Sequence, residues 1–403
     1  MIEIRCKMEE AGRTIAAWVA IDSLVGGSSS GGVRIREDVT PEELRILASL
    51  MTLKYGFLGI PQGGAKGGLS FDPAVSLEIR RRILLRFGLE IAPLLRNRTF
   101  IPGPDMGTGP EDIRIILEGA ARTPPRIRIS AEGSGRHTGS SVFAGAATAL
   151  EERGLRIRES RVAVEGFGKV GVATALLFHR HGARVIAVST KEGALFREKG
   201  LPVPELVETA GRRGPSFVLN FPEAERIGTE DLLALETDVL CPCALSHSIH
   251  AGNSARVRAG IISSGANAPL TPEALAALES LGSLVLPDFI TNSGGVLGVF
   301  LEIAGFGTAD VDVLIPKLLV PRIRELIRVG SIRGGSLHVT AARAALDRFA
   351  RFKEEAEGTS ARSRFLRHSS VRRIRRMMPR GVARTLGLAY FQKRLGRPMF
   401  EEH

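Results

Sequence analysis

Arg161-Val-Ala-Val-Glu165 runs straight into Gly166-Phe-Gly-Lys-Val-Gly171, and an Ala/Leu-rich stretch continues to His179. The apolar, β-branched run reads as a buried strand, and the stretch beyond the glycines reads as a helix. Ala183-Arg-Val-Ile-Ala-Val188 supplies a second strand. A Gly-x-Gly-x-x-Gly by itself is a weak signal. Set between a strand and a helix, it reads as a dinucleotide-binding turn. Gly166 and Gly168 allow a tight turn and the approach of a pyrophosphate, and Gly171 lets helix pack on strand. Phosphates would lie at the helix N-terminus, where free N–H groups and the helix dipole favour anions. A glycine turn in an α/β domain that binds nothing would look similar.

Downstream, Asp238-Val-Leu-Cys-Pro-Cys243, Gly260-Ile-Ile-Ser-Ser-Gly-Ala-Asn267 and Ser283-Leu-Val-Leu-Pro-Asp288 each read as a buried strand meeting a polar loop. Ligands of open α/β sheets bind outside the carboxyl ends of the strands. Asn267 and Asn292 therefore fall where a cofactor would lie, although asparagines also serve as plain turn residues. A connector follows Glu302, then helical patterns over 315–328 and 339–352. The last fifty residues are Arg-rich, with Val371, Ile374 and Met377 spaced along one face of a basic helix that Pro379 stops.

Upstream, residues 1–37 alternate strand-like runs with a Gly/Ser loop at 26–32. Pro41 to Tyr55 reads as a helix, capped by Thr40 and with Leu44, Leu47 and Leu50 at helical spacing. Gly139 to Glu152 reads as a small-residue helix suited to close packing. Between them lies Pro61-Gln-Gly-Gly-Ala-Lys-Gly-Gly68, where one lysine sits among four glycines. So little bulk beside Lys66 lets backbone and substrate approach it and permits unusual turns. Lys54 precedes it by twelve residues, and Asp105 follows in Pro102-Gly-Pro-Asp-Met-Gly-Thr108. Two cations and a carboxylate suit chemistry on a carbonyl compound that itself carries a carboxylate.

With 403 residues, 44% of them hydrophobic, the chain is long enough for two domains with their own cores. No run reaches the roughly 18 apolar residues of a membrane span, so no membrane partner is expected. The N-terminus lacks a signal-peptide apolar region, which implies a cytoplasmic location. Three cysteines make no disulfide framework. Cys241, Cys243, His247 and His250 cluster in sequence, but Cys-x-Cys is tighter than the usual zinc spacing, and no metal is expected. The net charge is +12, and residues 351–403 hold +9 of it (fourteen Lys or Arg against five Asp or Glu). The basic character belongs to a tail rather than to the body.

Taken in order, Gly-Gly-Val-Arg34, Met-Thr-Leu-Lys54, the glycine-flanked Lys66, Pro-Asp-Met-Gly-Thr108, Thr-Gly139, Gly-Phe-Gly-Lys-Val-Gly171, Gly-Ala-Asn267 and Asn-Ser-Gly-Gly-Val296 resemble the glutamate/leucine/phenylalanine/valine dehydrogenases. The resemblance covers roughly residues 10 to 350. It implies an α/β chain of two domains: a mixed-sheet substrate domain over 1–140 and a Rossmann domain over 141–305, with a cleft between them. Helices over 306–355 would return to the first domain, and 356–403 would form a basic extension. The reaction implied is the reversible oxidative deamination of an L-amino acid to a 2-oxo acid and ammonia, with NADP or NAD as cofactor. Lys54 would hold the substrate carboxylate alongside Gly31 and Gly32. Lys66, its pKa lowered among glycines, would activate water, and Asp105 would shuttle protons. Thr138, Gly166, Phe167, Gly168, Lys169, Val170, Gly171, Thr190, Ala266, Asn267 and Asn292 would hold the cofactor, with Asn292 also touching substrate.

The chain departs from the family in four places. Glutamate members carry a lysine where this chain has Ser30 and a serine where it has Val299; those two groups bind the side-chain carboxylate. Without them a buried glutamate carboxylate would lose its charge partner, so a small or apolar amino acid is the expected substrate. A glutamate enzyme whose clamp is rebuilt from Arg34 or Arg36 is the alternative. At the end of the second Rossmann strand Thr190 replaces the usual acid and Lys191 follows, which favours NADP or dual use. The chain starts close to its first strand, without the N-terminal helical segment of many relatives, so a homo-oligomer is expected but not its size. The Arg-rich tail has no counterpart in the family. It is expected to pack on the subunit or its neighbours; alternatively the chain is a catalytically weak paralogue whose tail binds nucleic acid.

Overall fold

The computed structural model describes residues 1–10, 12–122, 133–358 and 380–400. The chain divides into two compact units, Met1–Ala131 with Ala344–Ala383 and Glu132–Arg343 with Arg384–His403.

The first unit begins with β1 (Ile2–Glu10), β2 (Arg13–Ile21) and β3 (Ser29–Arg36), then α1 (Pro41–Leu58) and β4 (Gly63–Ser70). It continues through α2 (Leu77–Glu90), α3 (Ala92–Arg96), β5 (Phe100–Pro104) and α4 (Pro110–Gly119). Thr40 caps α1 by accepting from the Glu43 N–H at 3.2 Å, and Gly59 ends it in the left-handed region. The strands form a mixed sheet in the order β1-β2-β4-β3-β5, with β3 parallel to β4 and β5 and the other pairs antiparallel.

Strand residues alternate between the two faces of this sheet. Val19, Ile21, Val33, Ile35, Ala65, Leu69 and Phe100 point to one core, shared with Leu84, Phe87 and Ile116 of α2 and α4. The intervening residues point to α1, where Ala20 packs with Leu44 and Ala48. β3 starts inside the stretch that composition marks as a Gly/Ser loop. Pairing with β4 and β5 on both sides overrides the weak strand propensity of Ser29 to Gly32.

The second unit runs α5 (Gly133–Glu152), β6 (Arg161–Glu165), α6 (Lys169–Arg180), β7 (Arg184–Thr190), β8 (Gly193–Phe196), α7 (Val203–Arg213), β9 (Glu225–Ile227) and α8 (Thr229–Leu233). It goes on through β10 (Glu236–Pro242), β11 (Arg258–Ile262), α9 (Pro272–Ser280), β12 (Leu284–Val285), α10 (Asp288–Thr291), α11 (Gly294–Ile303) and α12 (Thr308–Arg333). Its sheet has the order β12-β11-β10-β6-β7-β8-β9, parallel from β12 to β7. From β6 the chain first builds outward through β7, then returns to β10 on the other side. The carboxyl end of β6 is thus the point where strand order reverses, the usual ligand position in open α/β sheets.

α13 (Leu337–Glu357) crosses from the second unit to the first at Ala344. α12, which the sequence reading sends to the first domain, packs on α5 and α11 of the second. It runs for 26 residues with Pro316 and Pro321 inside it, and so extends beyond the expected 315–328 at both ends. α14 (Arg380–Leu395) follows, and its later part joins the second unit. The basic pattern over 371–377 lies outside the described residues. Among the described residues no helix is long and apolar enough to cross a membrane.

Candidate active site

The residues singled out from sequence fall into two sets, one in each unit. In the first unit Lys66 lies on β4, 4% exposed, on the α1 face of the sheet between Gly64 and Gly68. Those glycines do not make a turn: they sit in a strand and admit α1. A Cβ on Gly64 would lie 2.4 Å from the Thr52 nitrogen, and one on Gly68 would lie 2.7 Å from Leu44. The room the glycines leave is occupied by the helix, and its closeness is what buries the lysine.

Lys66 Nζ lies 2.6 Å from Asp105 Oδ2. Arg34, on β3 and 4% exposed, places Nε 3.0 Å from the same oxygen and Nη1 2.6 Å from Glu43 Oε1 of α1. Arg36 joins Glu43 Oε2 at 3.2 Å and also meets Asp38. Thr108 fixes the loop beneath by accepting from the Asp105 N–H at 2.8 Å and donating to the Val33 carbonyl at 2.7 Å. A Cβ on Gly32 would come within 2.7 Å of Asp105 Cβ, so only glycine lets this carboxylate lie against β3. Gly31 sits beside it on β3, and Lys54 is buried on α1.

Burial pushes the Lys66 ammonium below the ordinary lysine value, and Arg34 adds to that; Asp105 opposes it. Burial raises Asp105, but Lys66 and Arg34 outweigh it and hold the carboxyl well below its usual range. Asp105 therefore stays ionised between two cations. Arg34 and Glu43 complete a cluster of which only Lys66, Asp105 and Arg34 stand out in the sequence. The signal for Glu43 is that it begins the helix whose face β3 and β4 share.

Ser30, at the start of β3, lies with its Oγ 2.5 Å from the phenol oxygen of Tyr55 on α1. Tyr55 is buried, and burial pushes its pKa up to about 12. This hydroxyl pair was not evident from sequence, because Tyr55 follows Lys54 in what reads as an ordinary helix.

In the second unit Gly166 turns the chain at the end of β6 with φ +89°. Its N–H donates to Ser189 Oγ at 2.9 Å, and the Phe167 N–H donates to the Ser189 carbonyl at 2.7 Å. A Cβ on Gly171 would fall 1.7 Å from the Gly166 carbonyl oxygen. Gly168 is the exposed N-cap of α6, with nothing within 4 Å of where its Cβ would be. Lys169 opens α6 exposed and Val170 follows half-buried. The turn is therefore closed behind and open in front, a shape that fits a pyrophosphate on the free N–H groups of a 12-residue helix.

Around it, Thr190 ends β7 and donates to the Pro215 carbonyl at 2.9 Å. Lys191 is exposed, 3.8 Å from Glu192. Asn292, 4% exposed, donates through Nδ2 to the Ala266 carbonyl at 2.9 Å and to Asn267 Oδ1 at 3.0 Å. The two asparagines are thus brought together, and Asn292 Oδ1 has no hydrogen-bond partner among the described residues. Thr138 is buried on α5, and Val299 is half-buried on α11.

Glu165, last residue of β6, is a buried acid that sequence reading passed over. Ser248 Oγ donates to its Oε2 at 2.9 Å, and burial pushes its pKa up to about 7. Cys241 is buried on β10, and burial raises both its thiol and that of Cys243.

A mixed-sheet unit carrying a buried lysine–aspartate pair, joined to a Rossmann unit with an open glycine turn, defines a two-domain dehydrogenase. Residues 1–122 match the Glu/Leu/Phe/Val dehydrogenase dimerisation domain, and residues 130–355 match the Glutamate/Leucine/Phenylalanine/Valine dehydrogenase domain. The chain is 36% identical over 289 residues to the glutamate dehydrogenase of Thermotoga maritima, covering 68% of this chain and 69% of that one. It is 30% identical over 325 residues to the NADP-specific glutamate dehydrogenase of Saccharolobus shibatae, covering 77% and 76%. Among solved structures it resembles the hetero-hexameric glutamate dehydrogenase of Thermus thermophilus in its Leu-bound form, with a TM-score of 0.76, 26% identity and coverage of 87% and 88%. The chain belongs to the glutamate/leucine/phenylalanine/valine dehydrogenase family. It is an amino-acid dehydrogenase, an oxidoreductase of the class that works with NAD or NADP.

Proposed function

We propose that the protein deaminates a small or apolar L-amino acid, reversibly and with NAD(P), to a 2-oxo acid and ammonia. The observation that carries this reading is Lys66 Nζ at 2.6 Å from Asp105 Oδ2 in a buried setting. Lys54 would hold the substrate α-carboxylate beside Gly31 and Gly32. Gly166, Phe167, Gly168, Lys169, Val170 and Gly171 would hold the pyrophosphate, and Thr138, Ala266, Asn267 and Asn292 the nicotinamide half. A bound nicotinamide would supply the acceptor for the hydrogen that leaves the substrate Cα with its electron pair. The imine so formed takes up water: Lys66, as a neutral amine, removes a proton from the attacking water. Asp105 relays protons between that lysine and the departing amine, and ammonia leaves as the carbonyl forms.

The side-chain preference rests on four residues. Ser30 is engaged by Tyr55, and Val299 is aliphatic. Arg34 and Arg36 are both committed to protein carboxylates, so a glutamate clamp rebuilt from them would have to break those pairs. Thr190 and Lys191 support NADP or dual use over strict NAD use. We also propose that the chain works as a homo-oligomer.

The test is the absorbance change of NAD or NADP with a panel of L-amino acids, for wild type and Lys66→Ala. Turnover of leucine, valine or alanine that disappears in Lys66→Ala is expected. Turnover that survives the substitution overturns the mechanism, and glutamate far ahead of leucine overturns the substrate assignment.

A further inference from the structure

Asp105 Oδ2 is shared. Lys66 Nζ reaches it at 2.6 Å and Arg34 Nε at 3.0 Å, while the other side of the same guanidinium meets Glu43 Oε1 at 2.6 Å. Arg34 cannot shift fully to Asp105 without leaving Glu43, nor to Glu43 without leaving Asp105. It is 4% exposed, so water does not screen either contact. A buried lysine with a carboxylate wholly its own would be held as an ion pair and would be a poor base. Here the carboxylate is divided by a second cation that never titrates.

We propose that Arg34, braced by Glu43, is a positioning residue that keeps Asp105 from pairing fully with Lys66 and so leaves that lysine able to release its proton. The proposal rests on the deamination reading above and adds a tuning element to it. The charged groups facing Lys66 are Asp105 and Arg34 from the sheet side and Glu43 from α1; its neighbour on β2, Ala20, brings no charge. Arg34 favours the neutral amine, and Asp105 and Glu43 favour the ammonium.

Two substitutions therefore move Lys66 in opposite directions. Arg34→Met leaves Asp105 to Lys66 alone and removes a like charge, so the lysine holds its proton to higher pH. Glu43→Gln removes a negative charge facing Lys66 and releases Arg34 toward Asp105, so the lysine loses its proton at lower pH. Arg34→Lys keeps the charge without the two-sided fork, so it should bring Lys66 only part of the way back.

The experiment is ¹³C NMR titration of protein labelled at lysine Cε, with the Lys66 resonance assigned through Lys66→Arg, run beside the pH–kcat profile of each variant. The expected result is a Lys66 midpoint about one pH unit higher in Arg34→Met, lower in Glu43→Gln and between Arg34→Met and wild type in Arg34→Lys. The acid limb of kcat should move with it. Midpoints that coincide in all variants, or that move the same way in both, overturn the proposal. If Arg34→Met does not fold, Glu43→Gln decides: an unmoved or raised midpoint is against. The titration reads Lys66 without turnover, so a wild type inactive on every amino acid would count against the deamination reading alone.

Discussion

Ser30 Oγ and the phenol oxygen of Tyr55 lie 2.5 Å apart, joining the start of β3 to the last turn of α1. Tyr55 is 3% exposed and stays neutral at any ordinary pH, so the pair is a buried phenol and a half-buried serine hydroxyl that satisfy each other. Tyr55→Phe strands the serine hydroxyl and should cost about 1–2 kcal/mol in urea unfolding. Adding Ser30→Ala should recover part of that loss. A double substitution that costs the full sum of the singles would show that the two groups do not interact.

The same pair bears on substrate choice. Ser30→Lys would introduce a cation where the family's glutamate members carry one. It should raise kcat/KM for glutamate relative to leucine by at least about tenfold, the worth of roughly 1.4 kcal/mol from a charge-assisted contact. An unchanged ratio would mean that residue 30 does not face the substrate side chain.

The glycine turn after β6 separates fold from ligand cleanly. Gly171 has no room for a methyl group, since its Cβ would meet the Gly166 carbonyl oxygen at 1.7 Å. Gly171→Ala should therefore lower the melting temperature and NADPH affinity together. Gly168 has open space and a negative φ of −87°, so Gly168→Ala should cost only the small N-cap preference for glycine over alanine and lower the melting temperature far less than Gly171→Ala. If a pyrophosphate packs against that position, NADPH affinity should still fall by about tenfold or more in fluorescence titration. Equal affinity in Gly168→Ala and wild type would argue that the dinucleotide does not use this turn.

The Rossmann half was legible because both periodicities were intact: a β-branched run, three spaced glycines and an amphipathic helix leave little choice. β3 was not, because Ser29-Ser-Gly-Gly32 has loop composition and becomes a strand only through partners on both sides. α12 (Thr308–Arg333) was longer at both ends than its pattern over 315–328 implied, and the partners it packs on, α5 and α11, are not visible in that local pattern. Lys66 and Asp105 were visible as chemistry-bearing residues in glycine-rich surroundings. The Arg34–Glu43 brace was not, since it depends on β3 and α1 lying side by side, which no local pattern encodes. The glycines beside Lys66 were seen but misassigned: they admit a helix to a sheet rather than form a turn.

Glu165 predicts a pH dependence of stability. Its folded pKa is about 7 against an ordinary 4.5, because burial disfavours the charged form, with the Ser248 hydrogen bond partly opposing. A raised folded value means that the native state binds the proton more tightly than the unfolded chain does. The resulting stability is full below about pH 4.5 and is lost as pH rises through about 7. Integrated over that window it is on the order of 3 kcal/mol. Glu165→Gln keeps the neutral shape at every pH, so its stability relative to wild type should rise between pH 5 and pH 8 in paired urea titrations. A constant difference would mean that Glu165 titrates normally in the folded protein.

Arg322 decides what the end of the chain does. It is 1% exposed on α12, and its guanidinium donates to the carbonyls of Arg394, Leu395 and Arg397 at 2.6, 2.8 and 3.1 Å. The first two are carbonyls at the C-terminal end of α14, where helix backbone lacks internal partners and a positive charge is favoured, and Arg397 lies just past it. Glu325, one turn along α12, accepts from the Met399 and Phe400 N–H groups at 2.7 and 3.0 Å. Arg384 meets Asp310 at 2.9 Å and stacks over Phe306. Residues 384–400 are thus fastened to the second unit by charge-assisted hydrogen bonds. Arg322→Met should strand those carbonyls and cost about 3 kcal/mol or more. It should also make residues 380–400 sensitive to limited proteolysis while the rest of the chain resists. A nucleic-acid role for the tail predicts something different: a salt-sensitive mobility shift that deletion of 358–403 abolishes with the melting temperature unchanged. Packing predicts a lower melting temperature on that deletion and no shift in either protein, and thermal unfolding beside a mobility assay distinguishes the two.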